Sequence, residues 1–370
     1  MTTSEPFEIF ITAPPGLEPV LCAEVLERDF ASAVAVPGGV TLQGGWPEVW
    51  RANLELRGAT RVLARIGQFM AFHLAQLDKR ARKFPWGDVL RADVPVRVEV
   101  TTKRSKIYHA GAASQRIETA LREEFGVEIS PEAPVSVKVR IDDNKVTISV
   151  DTSGESLHKR GHKEAVGKAP MRETLAALFL RQCGYNGTEP VVDPMCGSGT
   201  FIIEAAEIAA GLMPGRTRDF AFQQLATFDA DAWQAMRIPK PVNTGLRFLG
   251  SDRDAGAIRM SSANAQRAGV ADLTEFKMHA VSDVATPDGP PGLVIVNPPY
   301  GGRIGNKKLL YPLYAALGQT LMAKFSGWRV GLVTSEPPLA KATGLPFLPQ
   351  GAPVPHGGLK VWLYRTKPLK

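Results

Sequence analysis

Three short stretches of this chain carry residues whose types and spacing could do chemistry. The sharpest is Leu293-Val294-Ile295-Val296-Asn297-Pro298-Pro299-Tyr300-Gly301, where an apolar run ends in a carboxamide and two prolines stiffen the turn that follows. Pro298 has no N–H, so the loop offers carbonyls as acceptors more than it offers donors. The Asn297 carboxamide completes an acceptor pair, and Tyr300 adds an aromatic face. That set suits a planar base with an exocyclic amino group. Such an amine is a poor nucleophile, because its lone pair is delocalised into the ring. Two acceptors on its hydrogens draw the nitrogen toward sp³ character and aim the lone pair at an electrophile.

The second stretch is Val191-Val192-Asp193-Pro194-Met195-Cys196-Gly197-Ser198-Gly199-Thr200-Phe201. An apolar strand ends at an acid, a Gly-x-Gly turn follows, and a helix begins. Glycine permits positive φ and close approach of a ligand to the backbone. A dinucleotide-binding turn would carry a third glycine, and a P-loop would carry Gly-Lys-Ser/Thr; neither is here. A carboxylate repels pyrophosphate but suits a ligand with an ammonium group. Cys196 lies within the turn and reads as small packing rather than as a nucleophile. The third stretch, Leu249-Gly250-Ser251-Asp252, ends a second strand in a carboxylate, the place where doubly wound folds hold ribose hydroxyls. A further acid, Asp283, follows a third strand and could accept from an adenine amino group. His158 and His162 stand at i, i+4, but no Cys or carboxylate cluster accompanies them, so no metal site is expected.

These residues need elements to position them. From Met171 onward strands and helices alternate, which predicts a parallel α/β sheet. The predicted strands are 190–192, 246–250, 273–276, 293–296, 329–333 and 361–364, and the predicted helices are 172–183, 199–212, 254–268 and 311–325. The segment Met213 to Asn243 is inserted between the first two strands, and its Phe220, Phe222, Phe228 and Trp233 suggest packing or a lid. Residues 7–150 have α+β texture with no acid/base constellation: strands near 7–11, 40–43, 62–66 and 94–100, helices at 17–30, 46–53, 72–83 and 110–125, and a hairpin of 135–141 and 145–150 turned by Asp142-Asp143-Asn144. Leu157 to Lys163 reads as a linker, either a solvated tether or a phosphate contact.

The chain has 370 residues, enough for two or three domains, and its 44% apolar and 22% charged composition is that of a globular protein. No apolar run approaches the ~18 residues of a membrane span. Met1 to Phe10 holds Glu5 and Glu8 and no basic residue, unlike a secretory signal. Cys22, Cys183 and Cys196 are widely spaced and form no CxxC, so a reduced, cytoplasmic setting is expected. The net charge is +7. Residues 1–165 hold 22 basic and 22 acidic residues, whereas 166–370 hold 22 and 15. Lys79, Arg80, Arg82, Lys83, Arg91, Arg97, Lys103, Arg104 and Lys106 nevertheless form a local basic stretch against three acids. A polyanion fits both facts, as does a soluble basic protein with solvated faces.

At these residues the sequence resembles a known family. Asp193 to Phe201, taken with Asn297-Pro298-Pro299-Tyr300, is similar to the class I S-adenosylmethionine-dependent amino-methyltransferases. Ala169-Pro170-Met171-Arg172-Glu173-Thr174, after His158-Lys159-Arg160-Gly161, narrows the resemblance to the THUMP-containing RNA guanine-N2 methyltransferases, above all the bacterial enzymes acting on 23S ribosomal RNA. The resemblance covers essentially the whole chain. It implies an α/β fold: a Rossmann-like class I methyltransferase domain with a mainly parallel seven-stranded sheet, preceded by an α+β ferredoxin-like/THUMP RNA-binding region. Residues 1–60 would be the ferredoxin-like part, 61–155 the THUMP module, 156–168 a linker and 169–370 the catalytic domain. The second methyltransferase domain fused to some relatives is not expected. Many relatives carry an acid after Tyr300-Gly301, where this chain has Gly302.

The resemblance further implies that Asp193, Gly197 and Gly199 line the methionine end of S-adenosylmethionine, in one turn with Met195, Cys196 and Thr200. Asp252 would hold its ribose and Asp283 its adenine amine, while Arg172 and Thr174 edge the same pocket. Asn297, also bordering the cofactor, and the Pro298 carbonyl would accept from a guanine amine; Pro299 stiffens that loop and Tyr300 stacks on the base. The reaction would be direct in-line methyl transfer onto a looped-out or flipped base, with no metal and no covalent intermediate. RNA would be held by Lys79, Arg80, Arg82, Lys83, Lys103, Arg104 and Lys106, with Lys159 and Arg160 of the linker. Ribosomal RNA is the first expectation and transfer RNA the second. The rivals are a DNA adenine-N6 methyltransferase and a non-catalytic RNA-binding assembly factor.

Overall fold

The structure, a computed structural model, describes residues 5–164, 171–300 and 310–370. Residues 1–4, the linker end 165–168, Ala169 and Pro170 of the quoted motif, and Gly301 and Gly302 lie outside the described residues. The chain forms two units. The first comprises the residues up to Ala13, Cys22–Leu157 and Arg218–Ile238, and the second Pro14–Leu21, His158–Thr217 and Pro239–Lys370.

The elements of the N-terminal part are β1 (Phe7–Thr12), α1 (Glu18–Glu27), β2 (Val34–Val36), β3 (Gly39–Gly44), α2 (Trp46–Glu55), β4 (Arg61–Met70), α3 (Leu74–Arg82), β5 (Val96–Lys103), α4 (Ala110–Ala120), β6 (Val135–Asp142) and β7 (Lys145–Asp151). Seven strands form one sheet in the order β2-β3-β1-β4-β7-β6-β5, antiparallel except for β5 against β6. The predicted hairpin is present: Asp143 and Asn144 both adopt positive φ, the conformation a tight two-residue turn requires. The sheet continues across the expected boundary at residue 60. β4 pairs with β1 on one edge and with β7 on the other, so a single sheet runs through it.

The second unit holds α5 (Glu173–Gln182), β8 (Val191–Asp193) and α6 (Thr200–Ala209); the chain then gives α7 (Ala230–Met236) to the first unit. It continues with β9 (Phe248–Asp252), α8 (Ala255–Ala268), β10 (Thr274–Met278), β11 (Leu293–Val296), α9 (Leu310–Lys324), β12 (Arg329–Thr334), α10 (Pro337–Ala342), β13 (Val354–His356) and β14 (Leu359–Arg365). Its sheet has the order β10-β9-β8-β11-β12-β14-β13. The first five strands are parallel, and β14 alone runs against them, pairing antiparallel with both β12 and β13. Strands buried on both faces read as continuous apolar runs, and Leu293 to Val296 are fully buried.

The expected 169–370 domain therefore needs one correction. Residues 218–238 fold with the first unit, where they pack, and not within the second unit's sheet. Phe222 stacks on Phe220 at 5.2 Å, meets Trp233 edge-on at 4.9 Å and lies 6.1 Å from Trp50. Phe228 packs on Trp50 at 5.9 Å, and the Phe222 N–H donates to the Thr152 carbonyl. Aromatic pairs of this kind bury large areas and hold the segment where they cluster.

Candidate active site

Strand register places the site. β8 lies at the middle of its sheet, with β9 on one side and β11 on the other, and the chain runs outward from it in both directions. That reversal opens a crevice at the strands' C-terminal ends. Asp193 ends β8 and pairs with Gly250, so Asp252 stands two residues beyond it on one flank. Val192 pairs with Val294, so Asn297 stands two residues past the level of Asp193 on the other flank. Strand spacing alone sets Asp252 and Asn297 about 10 Å apart, level with each other, across the end of β8.

The Gly197–Gly199 turn covers that end. Gly197 and Gly199 take φ of +52° and +82°, the left-handed region that favours glycine. A Cβ on Gly199 would lie 2.9 Å from the Ser261 Cβ, whereas one on Gly197 would meet nothing within 4 Å. The turn is tied to the next strand: the Gly197 N–H donates to Asp252 Oδ2 (3.1 Å) and the Cys196 N–H to the Ser251 carbonyl (2.8 Å). Asn264 of α8 donates to the Ser198 carbonyl at 3.1 Å. Asp252 uses its other oxygen to accept from the Asp254 N–H at 3.0 Å.

Asp193 is 2% exposed and accepts from the Met195 N–H at 3.0 Å. Burial pushes its carboxyl well above the usual carboxylate range, and the Asp252 charge adds to that. An ammonium brought beside it would reverse the cost. Burial also pushes the Cys196 thiol well up, aided by Asp193 and Asp252. A thiol kept protonated is no nucleophile.

On the opposite flank, Asn297 Oδ1 is buried and has no hydrogen-bond partner among the described residues. A buried acceptor left unsatisfied costs about 1–3 kcal/mol, and such groups occur where a ligand supplies the partner. Pro298 is buried and Tyr300 half-buried against the core cluster beneath α9. The Tyr314 hydroxyl of α9 lies 3.2 Å from the Pro299 carbonyl and 3.2 Å from the Thr334 hydroxyl. That contact engages the Pro299 carbonyl and ties the loop to α9. Tyr314 was not singled out by sequence; one tyrosine in an apolar helix looks like core until its hydroxyl's partner is known. Asp283 is exposed, in a turn of 3₁₀ helix (Val281–Asp283) five residues past β10, and the His279 N–H ties the exit of that strand to the Asp252 carbonyl. Thr174 is buried in the first turn of α5, and Arg172 is exposed at its N-terminus.

The linker departs from expectation. Arg160 is 2% exposed and its guanidinium pairs with Glu204 at 3.2 Å, so it faces the α6 helix instead of presenting a cation to RNA. His162 is also buried, with Nδ1 3.9 Å from Glu207. A signal was available: Glu204 and Glu207 sit in an otherwise apolar helix, and buried acids need cations. Lys159 is exposed.

In the first unit Lys79, Arg80, Lys83, Lys103, Arg104 and Lys106 are exposed. Arg82 is engaged by Asp78, Glu123 and Glu124. Arg104 pairs with Asp142 at 2.9 Å yet stays 69% exposed, and the Lys106 ammonium lies 5.6 Å over the Phe72 ring. Tyr108 beside them is 82% exposed, an aromatic face interleaved with cations.

Residues 160–346 match the RMKL-like methyltransferase domain, and residues 8–63 match the RlmL ferredoxin-like domain. The chain is 36% identical over 361 residues to the ribosomal RNA large subunit methyltransferase K/L of Syntrophotalea carbinolica, an alignment covering 92% of this chain and 51% of that protein. It spans about half the length of the curated relatives it matches. Among solved structures, a predicted N6-adenine-specific DNA methylase from Listeria monocytogenes superposes with a TM-score of 0.85 at 28% identity, covering 97% of this chain and 96% of that one. SMU.472, a putative methyltransferase complexed with SAH, superposes with a TM-score of 0.86 at 26% identity over 100% of both chains.

Proposed function

Because this chain belongs to the RMKL-like methyltransferase-domain family, we propose that it transfers a methyl group from S-adenosylmethionine to the exocyclic N2 amine of a guanine in RNA, large-subunit ribosomal RNA first. The observation that carries the reading is the pairing across the end of β8: a ribose-type acid on one flank and an unsatisfied amide acceptor on the other.

The residues fit the methyl donor. Asp193 offers a buried carboxyl to an ammonium, and open space stands over Gly197. Asp252 would hold the ribose, Asp283 the adenine amine, and Arg172 and Thr174 the edge of the methionine end, with Met195, Cys196, Gly199 and Thr200 forming the turn. When bound, the cofactor supplies a sulfonium methyl that is already activated, so the protein's contribution is orientation and electrostatics. Asn297 Oδ1 and the Pro298 carbonyl accept the amine's two hydrogens, and Tyr300 takes the face of the base. The base must leave any helix to reach them. Once the methyl is transferred, the extra proton departs to water.

Tyr314 holds the loop from behind. Tyr314→Phe is expected to lower kcat by up to about tenfold, the worth of one neutral hydrogen bond, with SAH affinity unchanged. Steady-state kinetics with calorimetry reads both. The exposed cations of the first unit would contact RNA, and Lys159 of the second unit would do so on its own account. Neutralising Lys103, Arg104 and Lys106 together is expected to weaken RNA binding and to reduce its log–log salt slope by about 2. An unchanged slope would put the RNA elsewhere.

The deciding experiment is methylation of total RNA and of DNA with labelled cofactor, followed by size separation and nucleoside digestion. N2-methylguanosine in the large ribosomal RNA is the expected product. Label in transfer RNA would change the substrate, and N6-methyladenine in DNA would overturn the RNA reading. Failure to bind cofactor would favour a non-catalytic RNA-binding protein.

A further inference from the structure

The segment His158–Lys163 leads into the residues that edge the cofactor pocket, and its last cation is placed with unusual economy. Lys163 Nζ donates to the Met171 carbonyl at 2.7 Å, to the Thr200 hydroxyl at 2.8 Å and faces Glu173 Oε1 at 3.2 Å. An ammonium has three hydrogens, and all three are used. Its side chain is 10% exposed and that of Glu173 7%. Burial draws the Lys163 ammonium below its ordinary range, against the opposing pull of Glu173.

Its partners are not arbitrary. Met171 opens the Met171–Thr174 segment that leads into α5. Thr200 is the first residue of α6, directly after the glycine turn, and its hydroxyl lies 3.5 Å from that of Ser198 within the turn. A single nitrogen therefore joins the two chain segments on which the methionine end of the cofactor is proposed to rest. A buried ion pair alone would be weak evidence for any role. Here two of the three contacts go to a carbonyl and a hydroxyl, which fix direction more than they supply Coulomb energy. The linker is itself immobilised: the Arg160 carbonyl accepts from the Thr217 hydroxyl at 2.6 Å, Arg267 Nε donates to the His162 carbonyl at 2.8 Å, and Arg160 pairs with Glu204.

We propose that Lys163 is a positioning residue for the methyl donor, its ammonium clamping the Thr200 hydroxyl and the Met171 carbonyl so that the two segments enclosing the donor's methionine end keep their spacing. The proposal rests on the donor site described above. It gives Lys163 no contact with the reacting atoms, because its hydrogens are already committed.

The test uses the full chain, with SAH as the probe. Wild type, Lys163→Met, Lys163→Arg, Thr200→Val and the Lys163→Met/Thr200→Val double variant are compared by titration calorimetry, thermal melting and steady-state kinetics. Lys163→Met is expected to weaken SAH binding by about tenfold or more and to raise KM for the methyl donor by a similar factor, with kcat at saturating donor within about twofold of wild type. Lys163→Arg should recover part of the affinity. Thr200→Val should reproduce much of the loss, and adding it to Lys163→Met should cost little more, since both break one contact. Wild-type SAH affinity in a folded Lys163→Met protein would overturn the proposal. So would independent, additive losses in the double variant. Should Lys163→Met not fold, Thr200→Val is near-isosteric and decides alone: unchanged SAH binding overturns the clamp. A wild-type chain that binds no SAH would overturn the donor site itself, and the clamp with it.

Discussion

Asn297→Ala is expected to bind SAH as tightly as wild type and to lose about 10²–10³ in kcat. The two readouts separate because Asn297 stands on the β11 flank while the turn that would hold the methionine end is tied to the β9 flank. Its Oδ1 is an acceptor that nothing in the described chain satisfies, so removing it breaks no hydrogen bond to that oxygen among the described residues. What is lost is the alignment of the amine. An acceptor pair that engages both hydrogens acts most strongly as the nitrogen pyramidalises, and an interaction stronger in the transition state lowers kcat, not affinity. Asn297→Asp is the informative companion: it keeps the oxygen but adds a charge, and partial activity that rises with donor concentration would still keep the acceptor role. Weakened SAH binding with normal turnover would remove Asn297 from the chemistry altogether.

Asp252→Ala is expected to do the reverse, weakening SAH by about tenfold to hundredfold with kcat at saturation close to wild type. The carboxylate does two jobs in the structure. One oxygen accepts from the Gly197 N–H and the other from the Asp254 N–H. Removing it frees a turn whose glycines sit in the left-handed region and deletes the proposed ribose acceptor as well. Asp252→Asn keeps one acceptor oxygen and should fall between. Calorimetry showing wild-type SAH affinity in Asp252→Ala would place the ribose away from β9.

Much of the candidate site was legible because three of its residues stand at the ends of short, largely buried strands. Asp193, Asp252 and Asn297 are all polar residues at the tip of a buried parallel strand, and that pattern depends only on neighbours in sequence. The elements around them were legible for the same reason, with boundaries within a few residues. β2 and β13 were missed because three residues give no period, and α7 and α10 because two turns or fewer carry little amphipathic signal. Tyr314 and Lys163 were missed for a different reason: their significance lies in partners 8 to 37 positions away, and no local rule connects them. Arg160 misled because a run of cations near a glycine reads as solvated, and only the fold reveals that α6 offers it an acid. The inserted aromatic segment was assigned by its place in the chain, whereas its packing is decided by Trp50, far upstream.

That segment has a consequence for how the protein is made. Synthesis proceeds from the N-terminus, yet the first unit's aromatic cluster includes Phe222, Phe228 and Trp233, which are translated only after β8 and α6. Emerging nascent chain must therefore wait, with that face of Trp50 uncovered, until residues 222–233 have left the exit tunnel. Maturation is interleaved in time, and a truncation after residue 157 would strand an incomplete module.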